Sequence, residues 1–418
     1  MSYFKENILK VQQSPTVAIN EFSNRIIADG RKVYKLGLGQ SPFPVPDFLQ
    51  EELIRHADKR SYLQTAGLPE LREAISAMYQ SMGIDSDPSN VIVGPGTKGL
   101  MYVAQTVFDG TVLFPQASWV SYEPQAIISS TKYQWIDTSA ENDFKLSPNE
   151  LEKVCKKVVG PKLLILNSPS NPTGAVYSSD ELSALADVAR KYSIIVLSDE
   201  IYGMLAHSSE HQSFAVHYPE RTIISDGLSK CAGAGGWRLG YFHIPHELIG
   251  FRNKMISVIS EIFSSTSAPI QYAAIAAYSN RDKMQEYTKK CNIILGGLSN
   301  EITKILKTSN IIFPEMLGGF YCFPGFSAYK EALEKRGIYG SATLAIDLLN
   351  ETGVAGLGGG HFGCELKDYR MRLSYVNFSG ATALESLDTS SMTESFIQKH
   401  CAETLDAFSK IVSWIESI

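Results

Sequence analysis

Ser225-Asp226-Gly227-Leu228-Ser229-Lys230-Cys231-Ala232 runs through Gly233-Ala234-Gly235-Gly236 to Trp237-Arg238-Leu239-Gly240-Tyr241 and sets one lysine among small residues. A lysine amine is a poor nucleophile at neutral pH until its surroundings depress its pKa, so isolation among Ser, Gly and Ala is the setting of a lysine recruited for chemistry. Arg238 follows across a glycine-rich link whose backbone can approach an anion such as a phosphate closely. A glycine-rich loop with a solvated lysine and arginine is the other reading of the same residues, and the neighbouring segments decide between them.

Thr222-Ile223-Ile224-Ser225 enters this stretch as a short apolar strand, and Val91-Ile92-Val93, Val112-Leu113-Phe114-Pro115, Lys162 to Asn167 and Ile194 to Asp199 read the same way. Helical patterns such as 70–82, opened by Pro69, and 179–192 alternate with them, which implies a mostly parallel, buried sheet of the α/β class. Ligands in such sheets gather at the carboxyl ends of the strands. Asn167-Ser168-Pro169-Ser170-Asn171-Pro172-Thr173-Gly174, Asp199-Glu200-Ile201-Tyr202 and Ser229-Lys230 all fall there. After Val93, Gly94-Pro95-Gly96-Thr97-Lys98 leads into a helix whose first N–H groups and Thr hydroxyl suit a phosphate, although the spacing of a Walker loop is absent. Trp119, in Ser118-Trp119-Val120-Ser121-Tyr122, either stacks on a flat ring or covers core.

The chain of 418 residues exceeds the roughly 250–300 at which single cores stop growing, so two domains are expected. Apolar content of 44%, charged content of 20% and 32 glycines describe a globular α/β protein. A net charge of −6 gives no general attraction to nucleic acid or anionic membrane, so any anion site is local. The six cysteines form no CxxC pair, no apolar run reaches membrane-span length, and Met1 to Gln13 has no long apolar core, so a cytosolic protein with free thiols is expected.

Apolar residues over 16–30 predict an entry helix stopped by Gly30; Val33 to Gly39 reads as a short strand, followed by the proline-rich Gln40 to Pro46. Ile256 to Ala277 reads as apolar and helical, and 282–307 as a long helix bridging the domains. Gly318 to Phe323 and Tyr369 to Tyr375 read as antiparallel strands of a smaller domain, the second setting Arg370, Arg372 and Ser374 on one face. One such arginine can grip a carboxylate bidentately, or both can lie exposed on an edge strand. Residues 377–394 read as a surface loop and 395–416 as a closing amphipathic helix.

Taken together, Gly227-Leu228-Ser229-Lys230 followed by WRLGY, NxPxNPTG, SDExY, the strand-Gly-Thr-helix turn and the late arginine resemble the class I/II aminotransferases, the fold type I enzymes that use pyridoxal 5′-phosphate. The resemblance implies a large domain over 47–295 with a mostly parallel seven-stranded sheet sandwiched by helices, and a smaller α+β domain from 1–46 and 296–418. It implies that Lys230 forms a Schiff base with the cofactor and serves as acid and base, and that Asp199 pairs with the pyridine nitrogen. Asn171 and Tyr202 would hold the ring 3-oxygen and Trp119 would stack on the ring. Gly96, Thr97, Lys98, Ser229 and Arg238 would hold the phosphate, with Tyr62 reaching it from the partner subunit of a homodimer. Arg372 would clamp the α-carboxylate of an amino acid or 2-oxo acid near Gly39, Asn171 and Trp119.

The Ser118 to Tyr122 motif is most similar to the bacterial aspartate aminotransferase branch, but two features depart from it. The arginine that commonly takes a distal carboxylate has no counterpart near Ser264 and Ser265, and the corresponding bacterial lysine falls at Thr97, one step from Lys98. Gly358-Gly359-Gly360 stands where Pro-Gly is commoner, which loosens the approach to Phe362. The expected activity is transfer of an amino group between an L-amino acid, aspartate or a broader or aromatic donor, and a 2-oxo acid. A β- or γ-eliminating C-S lyase of the same fold is the alternative, and a non-catalytic PLP-binding regulator a remote one.

Overall fold

The computed structural model describes residues 3–388 and 393–418. Seven strands form the main sheet: β1 (Val91–Gly94), β2 (Thr111–Pro115), β3 (Lys132–Ile136), β4 (Lys162–Asn167), β5 (Ile195–Asp199), β6 (Thr222–Gly227) and β7 (Gly240–His243), in the order β1-β7-β6-β5-β4-β2-β3. Only β7 runs against the others, pairing antiparallel with β1 and β6. The register sets Asn167 opposite Asp199 and Asp199 opposite Ser225, so three strands end level and deliver their following residues to one place.

Most of the strands read as apolar runs because both faces are covered, whereas the edge strand β3 leaves Lys132, Tyr133 and Gln134 exposed and gave no such signal in the sequence. Ile92, Phe114, Leu163, Ile165, Leu197, Ile223 and Phe242 pack on one side against α3 (Thr97–Val107) and α5 (Ile249–Ile262). The alternate residues Val91, Val93, Ile224 and Tyr241 meet α2 (Pro69–Ser81) and α6 (Ala268–Ser279), while Leu164, Leu166 and Val196 meet α4 (Ser179–Lys191). Each fully buried Leu, Ile or Val contributes about 1.5–3 kcal/mol, so the strand ends are fixed by packing rather than by the loops they carry. A capping box between Ser178 and Glu181 starts α4.

A separate apolar cluster joins Tyr34 and Leu36 to Phe320, Tyr321, Leu373 and Tyr375. Helix α7 (Arg281–Leu306) serves both cores: Met284 packs with the sheet domain's cluster, whereas Cys291, Ile294, Leu298 and Ile302 enter this second one. Three short strands, β8 (Tyr321–Cys322), β9 (Leu357–Gly358) and β10 (Met371–Ser374), form an antiparallel sheet with β10 in the centre. The entry helix is α1 (Pro15–Ala28), and Tyr34–Lys35 pairs in parallel with Val354–Ala355.

Three sequence expectations are corrected. The apolar stretch 256–277 is not one helix: α5 ends at Ile262, Ser264 turns with φ +58°, and Pro269 opens the first turn of α6. The polar stretch 377–394 is not all loop, because α9 (Gly380–Ser386), which follows α8 (Ser341–Thr352), is capped by the Ser379 side chain and anchored on the second core by Ala383 and Leu384; 389–392 lie outside the described residues. The closing segment 395–416 is two helices, α10 (Glu394–His400) and α11 (Ala402–Glu416), divided where buried Cys401 leaves helical geometry. All six cysteines are free, and no helix of the described residues is long and apolar enough to cross a membrane.

Candidate active site

The level ends of β4, β5 and β6 open into a cleft of about 500 Å³ between the sheet and the second core. Lys230 sits on the single helical turn Leu228–Cys231 that follows β6. Its Nζ donates to Gly39 O at 2.5 Å and lies 5.7 Å from the Tyr202 ring centre. Lys230 is half-buried and lines the cleft. Burial first, then the nearby Arg372 and Arg238 charges, lower its amine to about 8 against the pull of Asp199.

Asp199 ends β5 with its carboxylate inside the protein. Tyr122 donates to Oδ2 at 2.7 Å, while Oδ1 is buried without a hydrogen-bond partner. Burial raises this carboxyl to about 6; the Tyr122 hydroxyl and the Ile201 N–H pull the other way, the latter without completing a hydrogen bond to Oδ1. Asn167 braces the neighbouring turn, donating to Asp199 O at 2.7 Å and accepting from Asn171 N at 2.7 Å.

On the small-domain wall Arg372 is 1% exposed. It donates to Gly37 O and, at 3.4 Å, to Asn171 Oδ1, and its guanidinium lies 5.0 Å from the Tyr321 ring and 5.4 Å from Phe362. Nε has no partner, and among the described residues no carboxylate pairs with Arg372. Arg370 differs: it pairs with Asp368 at 3.2 Å and lies over Phe144. The edge-strand alternative is thereby excluded, since β10 is central and Arg372 is buried.

At the far end α3 begins at Thr97, after Gly96 in a left-handed turn (φ +83°) whose Cβ would overlap Arg238 Nη2. Only glycine lets Arg238 lie across that helix start. Arg238 also donates to Gly235 O at 2.8 Å. Lys98 points back over Trp119, its Nζ 5.3 Å from the ring centre, and burial together with Arg238 lowers its pKa.

Among the residues the sequence singled out, Gly39, Thr97, Lys98, Trp119, Asn171, Asp199, Tyr202, Ser229, Lys230, Arg238 and Arg372 line this one cleft. Gly96 lies just behind its wall, and Tyr62 stands away from it, 93% exposed. Sequence reasoning missed Tyr122, although it lay within the quoted Trp119 motif, and missed Tyr321, whose hydroxyl meets that of Tyr202 at 2.7 Å. Ser14, Thr16 and Gln40 also line the cleft; Ser14 and Pro15, which open α1, were not singled out in the sequence.

The arrangement brings a depressed amine, a buried carboxylate with a free acceptor, an anion cradle at a helix start and an unpaired buried guanidinium to one space. The family described as "Aminotransferase class I and II" matches residues 31–386. An asparagine–oxo-acid transaminase of Streptococcus mutans is 33% identical over 388 residues, covering 90% of this chain and 95% of the relative. An aspartate aminotransferase of Geobacillus stearothermophilus is 32% identical over 401 residues, covering 92% and 96%. The solved aspartate aminotransferase of Thermus thermophilus with maleate superposes with a TM-score of 0.83 at 26% identity, covering 98% of this chain and all of that one. With that match across most of its length and that fold beneath its cleft, the chain belongs to the class I and II aminotransferases.

Proposed function

We propose that the cleft binds pyridoxal 5′-phosphate at Lys230 and that the enzyme uses it to transfer the amino group of aspartate, or of a donor close to it such as asparagine, to a 2-oxo acid. The observation that carries this reading is the buried, unpartnered Asp199 Oδ1 in the same cleft as the depressed Lys230 amine. A buried acceptor without a donor costs about 1–3 kcal/mol, and a protonated ring nitrogen relieves that cost. The chemistry the cofactor supplies when bound is an aldehyde carbon for the amine and a ring that withdraws electrons from the substrate Cα.

Each role then follows from the residue's surroundings. Asp199 holds the ring nitrogen protonated, and Tyr122 keeps the carboxylate oriented. The first N–H groups of α3, with Thr97, Ser229 and Arg238, hold the phosphate dianion. Trp119 covers the ring face, while Asn171 and Tyr202 hydrogen-bond the ring oxygen. Arg372 takes the substrate α-carboxylate, which supplies the countercharge its burial lacks. Lys230, with an amine near 8, exists partly neutral at physiological pH and can take a proton from the substrate Cα.

Lys98, Ser14, Thr16 and Gln40 give the donor's distal end a polar wall with one cation, which supports a short carboxylate or carboxamide side chain. The relatives' names support the same class of donor. Exposed Tyr62 is free to enter a partner's site in a homodimer, and the free cysteines suit a cytoplasmic protein. In this reading 47–295 carries the cofactor, and 1–46 with 296–418 brings Arg372 over it.

A panel of amino acids against 2-oxoglutarate and pyruvate tests the donor assignment, and an absorbance scan tests the cofactor. Lys230→Ala should lower turnover by more than about 10⁴-fold. Unimpaired transamination by that variant would remove Lys230 from the mechanism.

A further inference from the structure

A second cavity, of about 380 Å³, lies behind the catalytic turn and shares no lining residue with the cleft. The same segments wall both: Asp199, Tyr202, Ser229 and Lys230 face the cleft, whereas Glu200, Gly203, Leu228 and Cys231 face the cavity. The opposite wall is the junction of α6 and α7.

Its lining is amphipathic in a specific way. Four methionines, Met78, Met82, Met204 and Met284, give it an adaptable apolar surface. Its polar part is acidic, with Asp226, Glu200 and Glu210 against one arginine, Arg281, which is already engaged with Ser81 Oγ. Tyr278 is 7% exposed and its hydroxyl has no partner. Asn292 spends its amide N–H on Met204 O and leaves Oδ1 buried and unpaired; Ser209 Oγ and His211 Nδ1 are likewise unpaired. Glu200 is held by Ser213 at 2.7 Å and His211 at 3.2 Å, and Glu210 is exposed to solvent, so Asp226, which among the described residues receives its neighbouring Gly227 N–H and a 3.4 Å contact from Tyr241, is the enclosed acid left to a ligand. Burial, with Glu200 and Asp199 nearby, raises that carboxyl to about 8, the state of an acid that lacks a cation.

We propose that this cavity is a binding site for a small ammonium compound with an apolar, aryl-sized body, its N–H directed at Asp226 and Asn292 Oδ1 and its body laid on the methionines. Cavities that stay empty in proteins are apolar; one with four unpaired buried polar groups calls for a donor-bearing occupant. Because Leu228 and Cys231 flank Lys230 and α7 continues into the second core, an occupant bears on the catalytic turn and on the domain-bridging helix together.

The test is calorimetric titration of the holoenzyme with N,N-dimethyl-2-phenylethylamine, a tertiary amine that cannot condense with a carbonyl and so is not a substrate mimic. Saturable binding of one equivalent per chain is expected, weakened at least about tenfold by Asp226→Asn and by Gln285→Lys, and about tenfold weaker again for neutral 2-phenylethanol. Gln285 is exposed on α7, so the added cation at the mouth leaves folding intact. Absence of saturation up to about 10 mM, or an affinity that neither substitution moves, overturns the proposal. Activity is not the readout, so the result stands apart from the assignment of the cleft.

Discussion

Tyr122 donates its hydroxyl to Asp199 Oδ2 at 2.7 Å, and among the described residues this is the one side-chain hydrogen bond to a carboxylate whose other oxygen is buried and unpaired. It works against burial, which raises the carboxyl to about 6. Tyr122→Phe keeps the ring, which stacks on Phe114 at 5.9 Å, and removes only the donor. A hydrogen bond to a charged group is worth about 1.5–3 kcal/mol, so the acidic limb of the kcat/KM profile should move up by about one pH unit or more. An unmoved limb would show that Tyr122 does not tune Asp199.

The same carboxyl makes a prediction for the cofactor-free protein. Its folded value of about 6 exceeds the ordinary 3.8, so between those values the native state holds more protons than the unfolded chain. Stability therefore falls as pH rises from about 4 to 6, and above 6 the full cost of the buried charge, about 3 kcal/mol, is present. Asp199→Asn, whose carbonyl still accepts from Tyr122, should make the cofactor-free protein more stable than wild type at pH 7.5 by up to that amount. The difference should vanish near pH 4 in denaturant titrations. Parallel curves from pH 4 to 8 would contradict the assignment of the cost to Asp199.

The first of these predictions rests on Tyr122, a residue whose role the sequence conceals. Five of the strands were legible because burial on both faces makes them largely apolar runs, whereas β3 exposes Lys132, Tyr133 and Gln134 at the sheet edge and β7 mixes Gly240 and His243 with its apolar residues; Lys230, Asp199 and Asn171 were legible because they end or follow the legible runs. Tyr122 opens a helix instead, and only the fold brings it to Asp199, 77 residues away. Tyr321 is likewise one aromatic beside two others, Phe320 and Phe323, until β10 pairs with its strand and its hydroxyl meets Tyr202. The helix α9 escaped because Ala383 and Leu384, which pack on the second core, stand among small and polar residues, and the place of Gly380, where a Cβ would strike Pro42 O, is a long-range packing constraint with no local signature.

Lys98 is the cation nearest Trp119 on the cleft wall. If it serves the distal carboxylate of aspartate, Lys98→Ala should raise KM for aspartate and glutamate about tenfold while leaving alanine and aromatic donors within about twofold. Equal losses for all donors would assign Lys98 to the phosphate or to packing on Trp119.

Arg372 and Arg370 are neighbours on one strand segment with opposite circumstances: Arg370 has Asp368, and Arg372 has aromatic rings, one backbone carbonyl and a long contact to Asn171. Burial makes the charged form of Arg372 costly and lowers its pKa, a cost that a bound carboxylate relieves through two parallel N–H···O bonds. Arg372→Leu should therefore reduce kcat/KM for every α-amino acid by about 10²–10⁴-fold, since a buried charge pair broken on one side costs about 3–5 kcal/mol. Arg372→Lys keeps the charge but not the planar fork and should recover only part of the loss. Donors that lack the α-carboxylate, such as simple primary amines, should react no worse with Arg372→Leu than with wild type. A loss for those amines as large as for aspartate would mean that Arg372 holds the cleft together and does not read the substrate.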